Sequence, residues 1–160
     1  VESVVDALVA ELELFKDTLS ADGGCSDIMT IEAVYWGDPG IIPVNSYPAF
    51  TVQPVRDLPD IETTGYEVRD LEVLVTLLID SRAYWDASVL EATGDRQLVQ
   101  VMERVRNWLR RDHNRSLSGL DGTRELSISA TDYMVQVRGS VLAKSAQVTV
   151  TVNKQRNREQ

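Results

Sequence analysis

Asp70 and Glu72 come nearest, in this chain, to a spacing that could do chemistry. They stand two apart in the run Tyr66–Asp80, YEVRDLEVLVTLLID. In an extended strand that spacing puts both carboxylates on one face, where a pair of acids can hold a divalent ion for metal-assisted hydrolysis. Such a site also needs a group to orient the attacking water, and a Lys two residues further on would supply it. The residue there is Leu74, so the pair reads as the charged outer end of a strand rather than as a metal site. His113 is the only histidine and Cys25 the only cysteine. A Ser-His-Asp or Cys-His site would have to use His113, which sits in RRDHNRS at the end of a basic segment. Cys25, in GGCSD beside a turn, has no base near it in sequence to make it a thiolate. A single cysteine excludes an internal disulfide and speaks against a cysteine zinc site. No HExxH, Walker A or GxGxxG motif occurs, and each of those carries a specific mechanism. The sequon Asn114-Arg115-Ser116 is set aside, because nothing in the sequence indicates secretion. No catalytic residue, cofactor or metal site is expected, and the chain reads as a non-enzyme.

The element that would carry those carboxylates is also the strongest structural signal. Leu71, Val73, Val75, Leu77 and Ile79 alternate with Glu72, Leu74, Thr76, Leu78 and Asp80, a period of two with one wholly apolar face. Extended at about 3.3 Å per residue, the run would span about 50 Å, well beyond an ordinary strand. Such a strand outgrows the core of one small subunit, and Leu74 and Leu78 on its second face call for cover. Before it, YPAFTVQPV predicts a strand over 47–55. All the prolines lie between 39 and 59, which excludes helix there and points to edge strand or extended loop. Residues 56–65, RDLPDIETTG, are expected to connect the two strands as the acidic tip of a long hairpin, with Asp57, Asp60 and Glu62 as its charges.

Two helices should pack against this sheet. Val4, Val5, Leu8, Val9, Leu12, Phe15 and Leu19 recur at helical spacing through residues 1–20, and Leu98, Val101, Met102, Val105, Trp108 and Leu109 do so over 94–111. The far side of the second helix holds Arg96, Arg104, Arg106, Arg110 and Arg111. The Gly37–Gly40 turn follows a short strand expected over 28–36. Residues 81–93 form a connection, with Trp85 read as core-edge packing. The 114–123 segment reads as a polar loop. Leu126, Ile128 and Ala130, then Tyr133, Val135 and Val137, then Ala146, Val148, Val150 and Val152 alternate as C-terminal strands. Helix, strands, helix, strands lacks the βαβα order of a parallel sheet. It predicts an α+β fold: an antiparallel or mixed sheet with a long hairpin and two helices on one face. One domain is expected over 1–153, with a disordered tail over 154–160.

The chain has 160 residues and a net charge of −9. Its length allows one domain with a real core, and no apolar run approaches the roughly 18 residues a membrane span needs. The acids spaced through VESVVDALVAELELF do not read as a signal peptide. Residues 1–93 hold 18 acids and 4 bases, whereas 94–160 hold 7 acids and 12 bases. An acidic half and a basic half can meet within a subunit or between copies. An acidic whole is a poor general binder of nucleic acid.

The order of parts resembles that of the tail-terminator and tail-completion (neck) proteins of tailed bacteriophages. The resemblance runs over about 1–153: an N-terminal helix, the proline-bearing strand YPAFTVQPV, a loop, the long strand YEVRDLEVLVTLLID, the amphipathic helix DRQLVQVMERVRNWL, and a β-rich end closing on AQVTVTVNK. It is a likeness of pattern and length, without a diagnostic motif or catalytic residues to carry over. It implies a structural virion protein, made in the bacterial host cytoplasm and placed in the neck. There it would form a homohexameric ring that caps the tail tube and joins it to the head–tail connector, with double-stranded DNA passing through the lumen. The implied partners are copies of itself, the tail tube protein and the connector or adaptor protein, with no membrane. Phe50, Asp57, Asp60, Glu62, Leu74, Leu78, Arg104, Arg110, Arg111 and Arg115 are the expected contacts between subunits or rings. A head-completion adaptor or a tail-tube subunit is the alternative in the same particle. A small metal-dependent nuclease using Asp70 and Glu72 is the alternative outside it.

Overall fold

The long strand predicted at Tyr66–Asp80 is present with those bounds and lies at the centre of a six-stranded sheet. In the computed structural model the described residues are 2–63, 66–86, 91–112 and 123–157, with the backbone alone described at 3, 58–63, 66–69, 83–86, 91–93, 111–112, 123–126 and 154–157. The strands are β1 (Ala33–Trp36), β2 (Ala49–Thr63), β3 (Tyr66–Asp80), β4 (Trp85–Asp86), β5 (Glu91–Ala92), β6 (Thr123–Ile128), β7 (Asp132–Arg138) and β8 (Val141–Asn157). The helices are α1 (Glu2–Asp17) and α2 (Thr93–Asp112). The large sheet runs β1-β2-β3-β8, and β6 and β7 follow one another along the outer side of β8. Among the described residues only the β1–β2 pair is parallel; the other pairs are antiparallel. β4 and β5 form a separate two-stranded ladder. The fold is α+β with a mixed sheet.

Alternation in β3 sorts its side chains onto two faces. Leu71, Val73, Val75, Leu77 and Ile79 pack with Phe50 and Val52 of β2 and with Ala146, Val148, Val150 and Val152 of β8. The ladder places these residues opposite one another, as in Phe50↔Leu77↔Ala146 and Val52↔Val75↔Val148. The apolar stripes of α1 and α2 cover that face and complete the main core. An edge-to-face aromatic group joins α1, α2 and the sheet: Phe15 of α1 lies 6.2 Å from Phe50 and 5.7 Å from Trp108 between ring centroids, within the range where such pairs attract. Trp108 Nε1 donates to Glu11 Oε2 across the helix–helix seam at 2.8 Å, and both residues are buried.

The second face is closed at one end by the segment after β1. Ile42 and Tyr47 fold over Ala49, Leu78, Val141 and Ala143 to make a smaller core. Arg138, near the end of β7, fastens this flap. Its Nη1 and Nη2 donate to the two carboxylate oxygens of Asp38 at 2.6 and 2.9 Å, and Nη1 also reaches Gly40 O. The Tyr47–Pro48 peptide in the flap is cis. The β7–β8 hairpin turns at Gly139, whose φ of +62° lies in the left-handed region glycine tolerates. At Gly24 close approach is the reason for glycine: a Cβ there would stand 2.1 Å from Thr18 O.

Four expectations need correction. Residues 56–63 are strand rather than loop, because β2 continues to Thr63. It absorbs the prolines with irregularities between Pro54 and Arg56 and between Pro59 and Ile61. β1 covers β2 only as far as Val52, so both prolines fall where β2 is an edge strand, as expected of them. The strand expected over 28–36 begins only at Ala33. The amides of Ile28 and Met29 instead turn back to Cys25 O, and Met29 and Ile31 plug the main core. Leu19 falls beyond α1 and is exposed. Residues 154–157 are paired with Tyr66–Arg69 in the β3–β8 ladder rather than forming a loose tail; 158–160 and 114–122 lie outside the described residues. No helix among the described residues is long and apolar enough to cross a membrane.

Candidate functional site

The two strand carboxylates are spoken for within the sheet. Asp70 Oδ1 accepts a hydrogen bond from Asn153 Nδ2 at 2.8 Å across the β3–β8 ladder. Glu72 faces Arg56 across the β2–β3 ladder at 3.6 Å. They do share one face, as their spacing requires. Among the described residues no group of three or more His, Cys, Asp or Glu could hold a metal ion. Cys25 is buried, and desolvation pushes its thiol up to about 12, so the nucleophilic thiolate is suppressed. His113 lies outside the described residues.

The expected contact residues divide into three groups. Phe50 and Leu78 are each 0% exposed, one in the main core and the other under the flap. Both are thereby withdrawn as contact residues: Phe50 lies beneath α1, and the flap gives Leu78 the cover expected from a neighbour. Arg104 is half-buried and turned inward, donating to Ser20 O at 2.9 Å, so it fixes the turn after α1. Asp57 and Arg110 are exposed, and Leu74 is half-buried on the second face between Gln53 and Thr149. The backbones of Asp60 and Glu62 lie in β2 and that of Arg111 in α2, while their side chains and all of Arg115 lie outside the described residues. The side chain of Trp85 does so too.

The surface that sequence reasoning missed is the β7 edge. Tyr133, Val135 and Val137 point to the helix side of the sheet, opposite Ala146, Lys144 and Leu142 of β8. Among the described residues α1 and α2 leave this row largely open: the three are 52%, 60% and 78% exposed. Val99 of α2, Met134 and Leu142 are also exposed apolar residues. Between β7 and α2 runs a groove of about 310 Å³ lined by Leu98, Val99, Tyr133, Met134 and Val135. Lys144 Nζ and Asp95 make an ion pair at its side, 2.9 Å apart. Tyr133 lines the groove with Leu98 and Val99 of α2, and partial burial pushes its phenol up, helped by Glu103 and opposed by Arg106. The available signal was the composition of DYMVQVR, whose apolar residues fall on both faces of a short strand.

The opposite edge of the sheet, β1, is short and has a different character. Trp36 is half exposed and donates from Nε1 to Asp6 Oδ1 of α1 at 3.0 Å. That bond fixes which side of α1 faces the β1 edge. At about 100° per residue, Glu2, Glu13 and Asp17 fall on the same stripe as Asp6, and all are exposed. The stripe is acidic, with Lys16 at its flank bridging Glu13 and Asp17 at 3.3 and 3.2 Å. At the same angular step, Arg106 and Arg110 fall on the stripe of α2 that carries Asp95 and Val99 at the groove, and Lys144 adds a positive charge beside Asp95.

Against known proteins, no family model matches the chain and no curated protein matches it significantly.

Proposed function

We propose that this chain is a structural subunit of a tailed-phage neck, a tail terminator. It would assemble as a ring of six that caps the tail tube and joins it to the head connector, with DNA passing through the lumen. The observation that carries this reading is how much of the sheet one subunit leaves uncovered. Among the residues whose side chains are described, those β3 gives to the core run from Leu71 to Ile79, and the backbone of the β2–β3–β8 ladder runs on to Tyr66 and Asn157. That ladder continues for five residues before Leu71, about 16 Å at the usual rise. At the side, β7 presents apolar side chains to solvent. Soluble single-subunit proteins rarely leave a long edge of this kind open, whereas a ring covers it with the next subunit. The order of elements shared with the tail-terminator pattern supplies the phage setting.

Sheet edges of unlike character also suit a tail-tube subunit, because a head-to-tail contact that does not close grows into a filament. Light scattering over a concentration series, with negative-stain images of the same fractions, separates the readings. A closed particle near six times 17.9 kDa is the expected result. Long tubes in isolation would transfer the chain to the tube. A monomer at every concentration that also fails to cap tail tubes would overturn the assignment.

A further inference from the structure

The two edges of the large sheet are complementary in direction, in face and in charge. β3 and β7 run one way, and β1, β2 and β8 run the other, as the single parallel and several antiparallel pairings require. A second copy in the same orientation, set beside the first, therefore offers its β1 antiparallel to β7, a sound hydrogen-bonding arrangement. The faces match as well. Val34 and Trp36 of β1 stand opposite Phe50 and Val52, so they point to the helix side, as Tyr133, Val135 and Val137 do. Continuing the sheet would lay the half-exposed Trp36 of one copy beside the exposed apolar row of the next. The helices follow: the α1 stripe of Glu2, Asp6, Glu13 and Asp17 comes beside the α2 flank that carries Arg106 and Arg110. The acidic N-terminal half and basic C-terminal half of the sequence then meet between subunits.

We propose that the occupant of the β7 edge is β1 of a second copy of this chain, so that the sheet and its helix layer run on from subunit to subunit. This rests on the reading of the chain as a ring subunit. The contact is heterologous: each copy uses one edge to give and the other to receive, and it closes into a ring when the rotation per subunit permits. Edge pairing supplies backbone hydrogen bonds, the apolar row supplies burial, and the charged flanks set orientation and reject the reversed approach.

Two blocked-edge variants test it. Val135→Lys with Val137→Lys places charges on β7, the device by which natural edge strands refuse partners. Trp36→Lys blocks β1. Each alone is expected to weaken self-association at least tenfold by light scattering. Mixed together, they should form a one-to-one dimer, because each retains the edge that the other lacks. An isologous β7–β7 contact would instead leave Trp36→Lys associating with itself and would overturn the proposal. So would rings that persist in both variants, although the ring reading would survive that result. A wild-type chain that stays monomeric at every concentration and also fails to cap tail tubes would end both. Should circular dichroism show either variant unfolded, hydrogen exchange on the wild-type assembly decides. Amides of β1 and β7 must both gain protection on assembly, and protection of only one edge would refute the pairing.

Discussion

Asp38 and Arg138 show how much of this fold hangs on single side chains. They lie 100 residues apart in sequence, and their paired hydrogen bonds hold the flap that closes the smaller core. The guanidinium holds the Asp38 carboxyl below the usual carboxylate range, with the Gly40 amide assisting and burial opposing. Arg138 is raised in turn, so the two partners agree in direction. Because the folded value of Asp38 is depressed, its contribution is complete above the unfolded carboxylate pKa of about 3.9. It is lost as pH falls through the folded value. Removing one member of a charge-assisted pair in a partly buried setting costs about 1–3 kcal/mol. Asp38→Asn is therefore expected to lower Tm by about 2–12 °C near neutral pH, at about 2–4 °C per kcal/mol for a chain of this size. Its deficit relative to wild type should begin to shrink below about pH 4, where the unfolded carboxyl takes up a proton, and should be smallest below the depressed folded value. Thermal melts between pH 2.5 and 7 would read this directly, and a deficit that did not change with pH would place the cost elsewhere.

At the scale of elements, legibility in the sequence followed the strength of the periodic pattern. β3 was readable to its ends, since one apolar face persists without interruption from Leu71 to Ile79 and Asp80 stops it. Both helices were readable from their stripes. β2 was cut short because Pro59 in the polar run 56–65 looks like a loop, while in the fold irregular pairing on an edge strand accommodates it. Phe50 and Leu78 were misplaced for a related reason: alternation tells which residues share a face, but not what covers that face. Nothing local announces that residues 37–48 fold back over Leu78. The β7 edge was hidden by the same ambiguity, since Tyr133, Val135 and Val137 alternate alike whether a helix covers them or solvent does. The C-terminal end of β8 lacks apolar residues, so its pairing could not be read from hydropathy. It should be separable by truncation. Val152 is the last β8 core residue among those whose side chains are described, and 154–160 are all polar or charged, so deleting 154–160 is expected to leave Tm within about 2 °C, as for changes that remove no core contact. Every second amide of Tyr66–Arg69, those directed at β8, should lose protection in hydrogen exchange. A large fall in Tm would show that the arm is integral to the core.

For the whole molecule the decisive property is the division of charge along the chain. A net charge of −9 spread evenly would make copies repel one another, increasingly so at low salt. Gathered so that an acidic α1 stripe and the Arg106–Arg110 flank stand at opposite edges of one sheet, the same charges favour a single docking orientation. Sodium chloride separates the two cases, since the screening length falls from about 10 Å at 0.1 M to about 3 Å at 1 M. Self-association of the wild-type chain is expected to weaken between 50 and 500 mM salt (on the order of tenfold, as for exposed complementary charges). Generic repulsion predicts the reverse, with assembly improving as salt rises. Glu13→Lys with Asp17→Lys should remove the salt dependence and weaken association at low salt. Adding Arg106→Glu and Arg110→Glu to the same chain should restore both, because the reversed charges are again complementary. Dissociation constants from light scattering or sedimentation at several salt concentrations give the slope directly. A slope unchanged by the first pair of substitutions would mean that the acidic stripe faces solvent or another ring rather than the next subunit.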